Sequence, residues 1–238
     1  MKKENELQKE LQSFQKLWKG GTSLSARGWD VTRKANLSRL DVDEIVRICI
    51  EPYINPETNV LEIGCNGGGW TWKFLEANEV YGFDALSAEH TGFWNYIEKK
   101  DNIHYCQVKD FNCEELEDDS IDYVFSYDVF CHISYSGTSA YLKNLFKKLK
   151  KGANCFIMIA DADKYTDERG RRKLMKRAGF SNFDDFVRDY DGKPTSGRWY
   201  FYGIERFCDL LEKYGYTLVS GDVAVDADKN NPIIHFRK

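Results

Sequence analysis

The stretch VLEIGCNGGGW, residues 60–70, decides how the chain is read. Val60 to Ile63 is a short run of strand character, and it leads directly into Gly64 and the cluster Gly67-Gly68-Gly69. Glycine reaches left-handed backbone conformations and lets the chain approach a ligand closely. A strand that ends in glycines and opens a helix is therefore a candidate ligand-binding turn, at the carboxyl end of a strand where open α/β sheets bind. The dinucleotide spacing G-x-G-x-x-G fails here in both registers. Anchored at Gly64 it needs glycine at 66, which is Asn66; anchored at Gly67 it needs glycine at 72, which is Trp72. The spacing E-x-G-x-G-x-G is met as Glu62, Gly64, Asn66 and Gly68, with one departure at the middle glycine. Asparagine tolerates the left-handed conformation better than most residues, so the departure is mild.

Outward from this turn the chain alternates strands and helices. Residues 79–83 form a second strand ending at Asp84, 103–108 a third, 121–126 a fourth and 154–160 a fifth. Helices are expected over 69–77, 87–99, 138–150 and 204–214, and 216–220 with 232–237 as a closing antiparallel pair. This alternation implies a parallel sheet covered by helices on both faces. Asp84 lies 20 residues beyond Gly64, where a carboxylate can accept both hydroxyls of a ribose.

The 238 residues divide into an N-terminal arm (1–57), a core (58–160), an insertion (161–203) and a closing segment (204–238), all one domain. Residues 3–18 have helical spacing through Leu7, Leu11, Phe14 and Leu17, residues 22–40 are irregular and basic, and a second amphipathic helix is expected from Asp41 to about Tyr53. The 15% aromatic content argues against disorder. No apolar run approaches the ~18 residues of a membrane helix, and the charged start (Lys2, Lys3, Glu4) has no apolar leader region. The net charge of −4 disfavours a nucleic-acid partner. Seven cysteines with no C-x-x-C pair suggest reduced thiols in a cytoplasm rather than disulfides or structural zinc.

Residues 58–160 resemble the class I S-adenosylmethionine (SAM)-dependent methyltransferases, with residues 60–70 as motif I and SYDVFCHI, residues 126–133, similar to motif IV and its extension. The resemblance implies a Rossmann-like, seven-stranded, mostly parallel sheet with a helical cap. It also implies SAM as cofactor and S-adenosylhomocysteine as product. In such a protein the loop containing Gly64, Cys65, Asn66 and Gly68 wraps the methionine part of SAM, and Glu62 orients the loop or the amino group. Asp84, followed by Ala85, takes the ribose. Asp110 meets the adenine amino group and Phe111 lies on the ring. Tyr127 and Asp128 face the methionine or the acceptor.

His132 is the candidate catalytic base, since methyl transfer to an alcohol gains from a group of near-neutral pKa; its alternative is a structural cap. Trp29 reads either as part of a lid over SAM or as a core anchor. In the insertion, ten basic residues stand against eight acidic ones. Arg169, Arg198 and Tyr200 are candidates for holding an anionic acceptor, the alternative being a solvated, internally paired face. No histidine–carboxylate set has clear metal spacing, Asp161 and Asp163 read as loop caps, and no metal is expected. The expected reaction is methylation of an oxygen or nitrogen on a small polar acceptor, such as a sugar or phosphorylated precursor of bacterial surface polysaccharide. The alternatives are a protein or RNA methyltransferase, and a non-catalytic partner protein of the same fold. No membrane partner is expected, and the oligomeric state is open.

Overall fold

A computed structural model describes residues 9–14, 39–164, 168–178, 180–182, 200–223 and 231–238. Its centre is one seven-stranded sheet in the order β3-β2-β1-β4-β5-β7-β6. The strands are β1 (Asn59–Ile63), β2 (Glu79–Asp84), β3 (Ile103–Gln107), β4 (Ile121–Ser126), β5 (Leu149–Met158), β6 (Thr217–Ser220) and β7 (Ile233–Arg237). The first five pair in parallel, and β7 runs antiparallel to both β5 and β6. This is the Rossmann-like architecture expected, with its closing antiparallel pair. The sheet order reverses at β1: β2 lies on one side of it and β4 on the other. Open α/β sheets form their ligand crevice at such a reversal, beyond the carboxyl ends of the strands.

Side-chain alternation builds two cores from the same strands. Cys155, Ile157 and Ile159 of the β5 run face one cluster, and Phe156, Met158 and Ala160 face the other. Period-two alternation with both faces apolar is what a sheet covered on both sides requires. The first cluster is closed by helix α3 (Tyr135–Lys148) through Tyr141, Leu142 and Leu145, and by helix α5 (Gly203–Tyr214) through Phe207, Leu210 and Leu211. The second is closed by Ile45, Val46, Cys49, Ile50, Trp70, Phe74 and Phe93. Among the described residues, no helix is long and apolar enough to cross a membrane.

The structure differs from the sequence expectation in several elements. The helix expected over 69–77 is only a 3-10 turn, Thr71–Phe74, because three consecutive glycines are poor helix formers and Gly68 sits at φ 86°. The helix expected over 87–99 stops after helix α2 (Ala88–Thr91), where Gly92 adopts a left-handed C-cap at φ 68°. Helix α3 starts at Tyr135 rather than at 138, since the Ser134 side chain accepts from the N–H of Gly137 and caps it. The segment from Asp41 to Tyr53 is divided: helix α1 (Arg39–Ile45) becomes a π-turn (Val46–Ile50) and then a 3-10 turn carrying Pro52. Helix α4 (Glu168–Ala178) lies in the insertion.

The glycines of the β1 turn are required by packing as much as by ligand approach. A Cβ on Gly64 would lie 2.1 Å from Val129 Cγ2, and one on Gly68 would lie 2.4 Å from Ile97 Cγ1. Gly152 has nearly the same φ (83°, against 80° at Gly64) but nothing within 4 Å. Gly152→Ala therefore measures the left-handed strain alone, about 1–2 kcal/mol. Gly64→Ala is expected to lose about 1–3 kcal/mol more through overpacking. Adding Val129→Ala should return most of that extra loss. Equal denaturant midpoints for the two alanine variants would show that Val129 yields freely.

Candidate active site

The sheet reversal opens into a cavity of about 200 Å³. Its walls come from the end of β1 and the following loop (Ile63, Gly64, Cys65, Asn66, Trp70), the end of β2 (Asp84, Ala85, Leu86) and the segment after β4 (Tyr127, Asp128, Val129, His132). Val108 and Tyr141 complete the wall on the side of the first core cluster.

Asp84 is fixed by backbone donors. Its Oδ2 accepts from the N–H of Asn66 at 2.8 Å, and its Oδ1 from the N–H of Leu86 at 2.9 Å. The β1 loop is thus tied to the tip of β2. Burial raises the Asp84 pKa, and the amides of Leu86, Asn66 and Ala85 oppose that rise. A carboxylate offers about four acceptor sites, so beyond these backbone amides Asp84 keeps capacity for a ligand donor. Asn66 is held at φ 47°, and its buried side-chain Oδ1 has no partner among the described residues. A buried acceptor without a donor is costly in a folded protein, and a bound ligand that donates to it removes the cost.

Glu62 and Gly68 lie outside the cavity wall. Glu62 is 2% exposed, and its Oε2 accepts from the Thr71 hydroxyl at 2.5 Å. Burial is the main reason that its pKa is pushed up to about 8; the Thr71 and Trp70 donors lower it, while Asp84 raises it further. Glu62 therefore fastens the far end of the loop to β1 from below.

The segment after β4 is a tight turn. The Ser126 hydroxyl donates to the Ile63 carbonyl at 2.9 Å and holds the end of β4 against β1. Asp128 sits at φ 60°, and Phe130–His132 forms a 3-10 turn. His132 is 7% exposed, with Nε2 3.8 Å from Asp128 Oδ1, beyond direct hydrogen-bonding distance.

Several other candidate residues take different places. Asp110 accepts from the N–H of Asn112, and Phe111 is buried against Tyr141 with ring centroids 5.0 Å apart; neither lines the cavity. Phe111 belongs to the first core cluster, where its large apolar ring is buried against α3. Arg169 is exposed on α4, where neighbouring Arg172 pairs with Glu168 at 2.8 Å. Tyr200 is buried, and its N–H donates to the Cys131 carbonyl at 2.8 Å, so it supports the turn from behind. Trp29 and Arg198 lie outside the described residues. Asp161 accepts from the N–H groups of Asp163 and Ile204, which is the loop-cap role expected of it.

Residues near the start of the chain also reach the site. Leu11 and Phe14, on the helical segment 9–14, line the cavity. Glu10 beside them accepts from the N–H of Ser134 at 2.6 Å and from its hydroxyl at 2.7 Å. A carboxylate at the first turn of α3 is favourable for the helix dipole. The helical spacing of Leu11 and Phe14 marked an apolar face; nothing local to the sequence marked what that face covers.

The fold and the crevice define a class I SAM-dependent methyltransferase architecture. A family model described as a methyltransferase domain matches residues 34–221, and the chain belongs to that family. No curated protein matches the sequence. Among solved structures, the chain is similar to a SAM-dependent methyltransferase from Methanosarcina mazei, with 15% identity, a TM-score of 0.59 and coverage of 79% of this chain and 96% of that one. It is also similar to the N-methyltransferase NodS from Bradyrhizobium japonicum, with 15% identity, a TM-score of 0.55 and coverage of 88% and 98%. A third similar structure is phosphoethanolamine N-methyltransferase 2 from Haemonchus contortus in complex with SAM, at 20% identity and a TM-score of 0.50, over 75% of this chain and 36% of that one. SAM is the cofactor of this fold. The residues here fit it: Asp84 has lone pairs to offer and Asn66 Oδ1 awaits a donor.

Proposed function

We propose that the protein methylates an oxygen or nitrogen of a small polar acceptor that sits beside Asp128 and His132. The observation that carries this reading is the single cavity lined by both Asp84 and the Asp128–His132 turn. β2 and β4 flank β1, so their tips are about 10 Å apart, room for a nucleoside at one side and a reacting group at the other. Asp84 accepts the two ribose hydroxyls of SAM, with Leu86 and Val108 as apolar walls for the base. The loop of Gly64, Cys65 and Asn66 follows the methionine part, and Asn66 Oδ1 accepts from its amino group. When bound, SAM supplies a methyl group on a positively charged sulfur, open to direct displacement.

The chain's own work is then to align the acceptor and receive its proton. Alignment alone can supply a large share of the acceleration. His132 is the base, on the strength of its position on the cavity wall. The support for a sugar-linked or phosphorylated acceptor is the exposed basic residues Arg169 and Lys176 of α4, which do not line the cavity. The protein works in a cytoplasm, a reading supported by seven cysteines that form no disulfide.

The test is calorimetric titration with SAM, S-adenosylhomocysteine and NADH, followed by turnover on a panel of sugar and phosphate acceptors. Both SAM species should bind and NADH should not. His132→Ala should lower turnover at saturating acceptor by about 10²–10⁴-fold, with SAM affinity within about twofold of the parent. Unchanged turnover would remove His132 from the chemistry.

A further inference from the structure

Asp128, Cys131 and His132 bring a carboxylate, a thiol and an imidazole to one point beside the cavity. One ligand atom from each lies within 4.8 Å of the other two. The local backbone produces this meeting: Asp128 is left-handed, and the 3-10 turn that follows carries Cys131 and His132 back over it. Cys131 Sγ is 3.5 Å from Asp128 Oδ1, and His132 Nε2 is 3.8 Å from the same oxygen.

These separations can be set against those around a metal ion. A tetrahedral zinc ion, with bonds of about 2.3 Å to sulfur and about 2.0 Å to nitrogen or oxygen, holds sulfur and oxygen about 3.5 Å apart and nitrogen and oxygen about 3.3 Å apart. The sulfur–oxygen pair already has that spacing; the imidazole nitrogen must close by about half an ångström on the oxygen and by up to about 1.3 Å on the sulfur, a movement within reach of side-chain rotation.

We propose that Asp128, Cys131 and His132 form a zinc site on the cavity wall. The donor set selects the ion. Magnesium and calcium take oxygen ligands, whereas one thiolate, one imidazole and one carboxylate suit zinc. Three protein ligands are also the number found in zinc sites that keep an open position. Asp128 and His132 both line the cavity, so that position opens onto it and takes water or a heteroatom of the acceptor. The Cys131 thiol gives up its proton to solvent as the ion binds. The sequence reading expected no metal here. The spacing D-x-x-C-H matches no familiar ligand pattern, and the three groups meet only through the left-handed turn at Asp128.

The ion's contact with an acceptor rests on the methyl-transfer reading; the ion site itself does not. In the zinc-loaded protein His132 is a ligand, and a hydroxyl or thiol on the ion is acidified by the metal instead of by the ring. The two arrangements differ at Cys131, which a histidine base does not need.

The experiment is titration of chelator-treated, full-length protein with cobalt(II) and then zinc(II), followed by absorbance and by a competing chromophoric chelator. One equivalent of cobalt should give a thiolate charge-transfer band in the near ultraviolet and visible bands of a four-coordinate ion. Zinc should abolish both. Cys131→Ser should lose the charge-transfer band, and both Cys131→Ser and His132→Ala should bind zinc at least about a hundredfold more weakly. SAM affinity of Cys131→Ser, unchanged, shows that the variant is folded. The site is overturned if the parent gives no cobalt spectrum and no stoichiometric zinc uptake, or if uptake is the same in both variants. Failure of the methyl-transfer reading is separate: the parent would then bind no SAM, whatever the metal titration gives.

Discussion

Asp84→Ala is expected to weaken SAM binding by about 10²–10⁴-fold. Hydrogen bonds to a charged group contribute about 1.5–3 kcal/mol each. Two ribose hydroxyls on one carboxylate therefore contribute about 3–6 kcal/mol, and every 1.4 kcal/mol is tenfold in affinity. The alanine variant also removes the acceptor of the Asn66 and Leu86 N–H groups, so some of the loss reflects a loosened loop. Asp84→Asn separates the two effects. It keeps one acceptor oxygen and the shape of the cradle while removing the charge. Calorimetry should place its SAM affinity between the parent and the alanine variant, with a thermal midpoint closer to the parent. Micromolar binding retained in both variants would remove Asp84 from the ribose site.

Stability is expected to fall from pH 6.5 to pH 8, and Glu62→Gln is expected to flatten most of that fall. Glu62 has its pKa raised from 4.5 to about 8 by burial. A carboxyl whose folded pKa lies above its unfolded value contributes full stability below the unfolded pKa. That contribution is lost as pH rises toward the folded pKa. At 1.36 kcal/mol per unit, the loss between pH 4.5 and pH 8 is about 4–5 kcal/mol. His235 acts in the opposite direction at lower pH. Burial, with Arg237 adding to it, lowers its pKa to about 4 from 6.5, so it destabilises the fold as pH falls through that interval. Above pH 6.5 the His235 contribution is flat and Glu62 governs the slope. Asp84, also raised by burial, contributes a loss of the same sign as pH rises above its unfolded value. Denaturant unfolding at pH 6.5, 7.5 and 8 measures this. Parallel pH profiles for parent and variant would mean that Glu62 is already ionised in the folded protein.

The sequence disclosed the sheet because burial on both faces leaves a direct mark: runs such as Phe156-Ile157-Met158-Ile159 read as core strands without any tertiary knowledge. Asp84 and the β1 glycines were legible for the same reason, since a strand end followed by glycine or a carboxylate is a local signal. The short helices were not. Whether residues 69–77 complete a helix turns on the left-handed φ of Gly68, which packs against Ile97 and Phe93 some thirty residues on. Phe111 shows a contact that local sequence does not encode: its ring packs on Tyr141, thirty residues later. The wall formed by Leu11 and Phe14 and the meeting of Asp128 with Cys131 and His132 both depend on backbone turns and docking that spacing alone does not encode.

The clasp of Glu10 on Ser134 spans 124 residues of sequence, and it fixes the only described part of the N-terminal arm that reaches the cavity. A ligand in the cavity would meet Leu11 and Phe14, so its affinity would depend on whether the segment is seated. If the segment is seated for only a fraction of the time, the apparent dissociation constant is the intrinsic one divided by that fraction. A ligand that touches Leu11 and Phe14 in turn draws the segment down. On the proposed reading, changes at Glu10 would then alter affinity without touching any atom of the ligand.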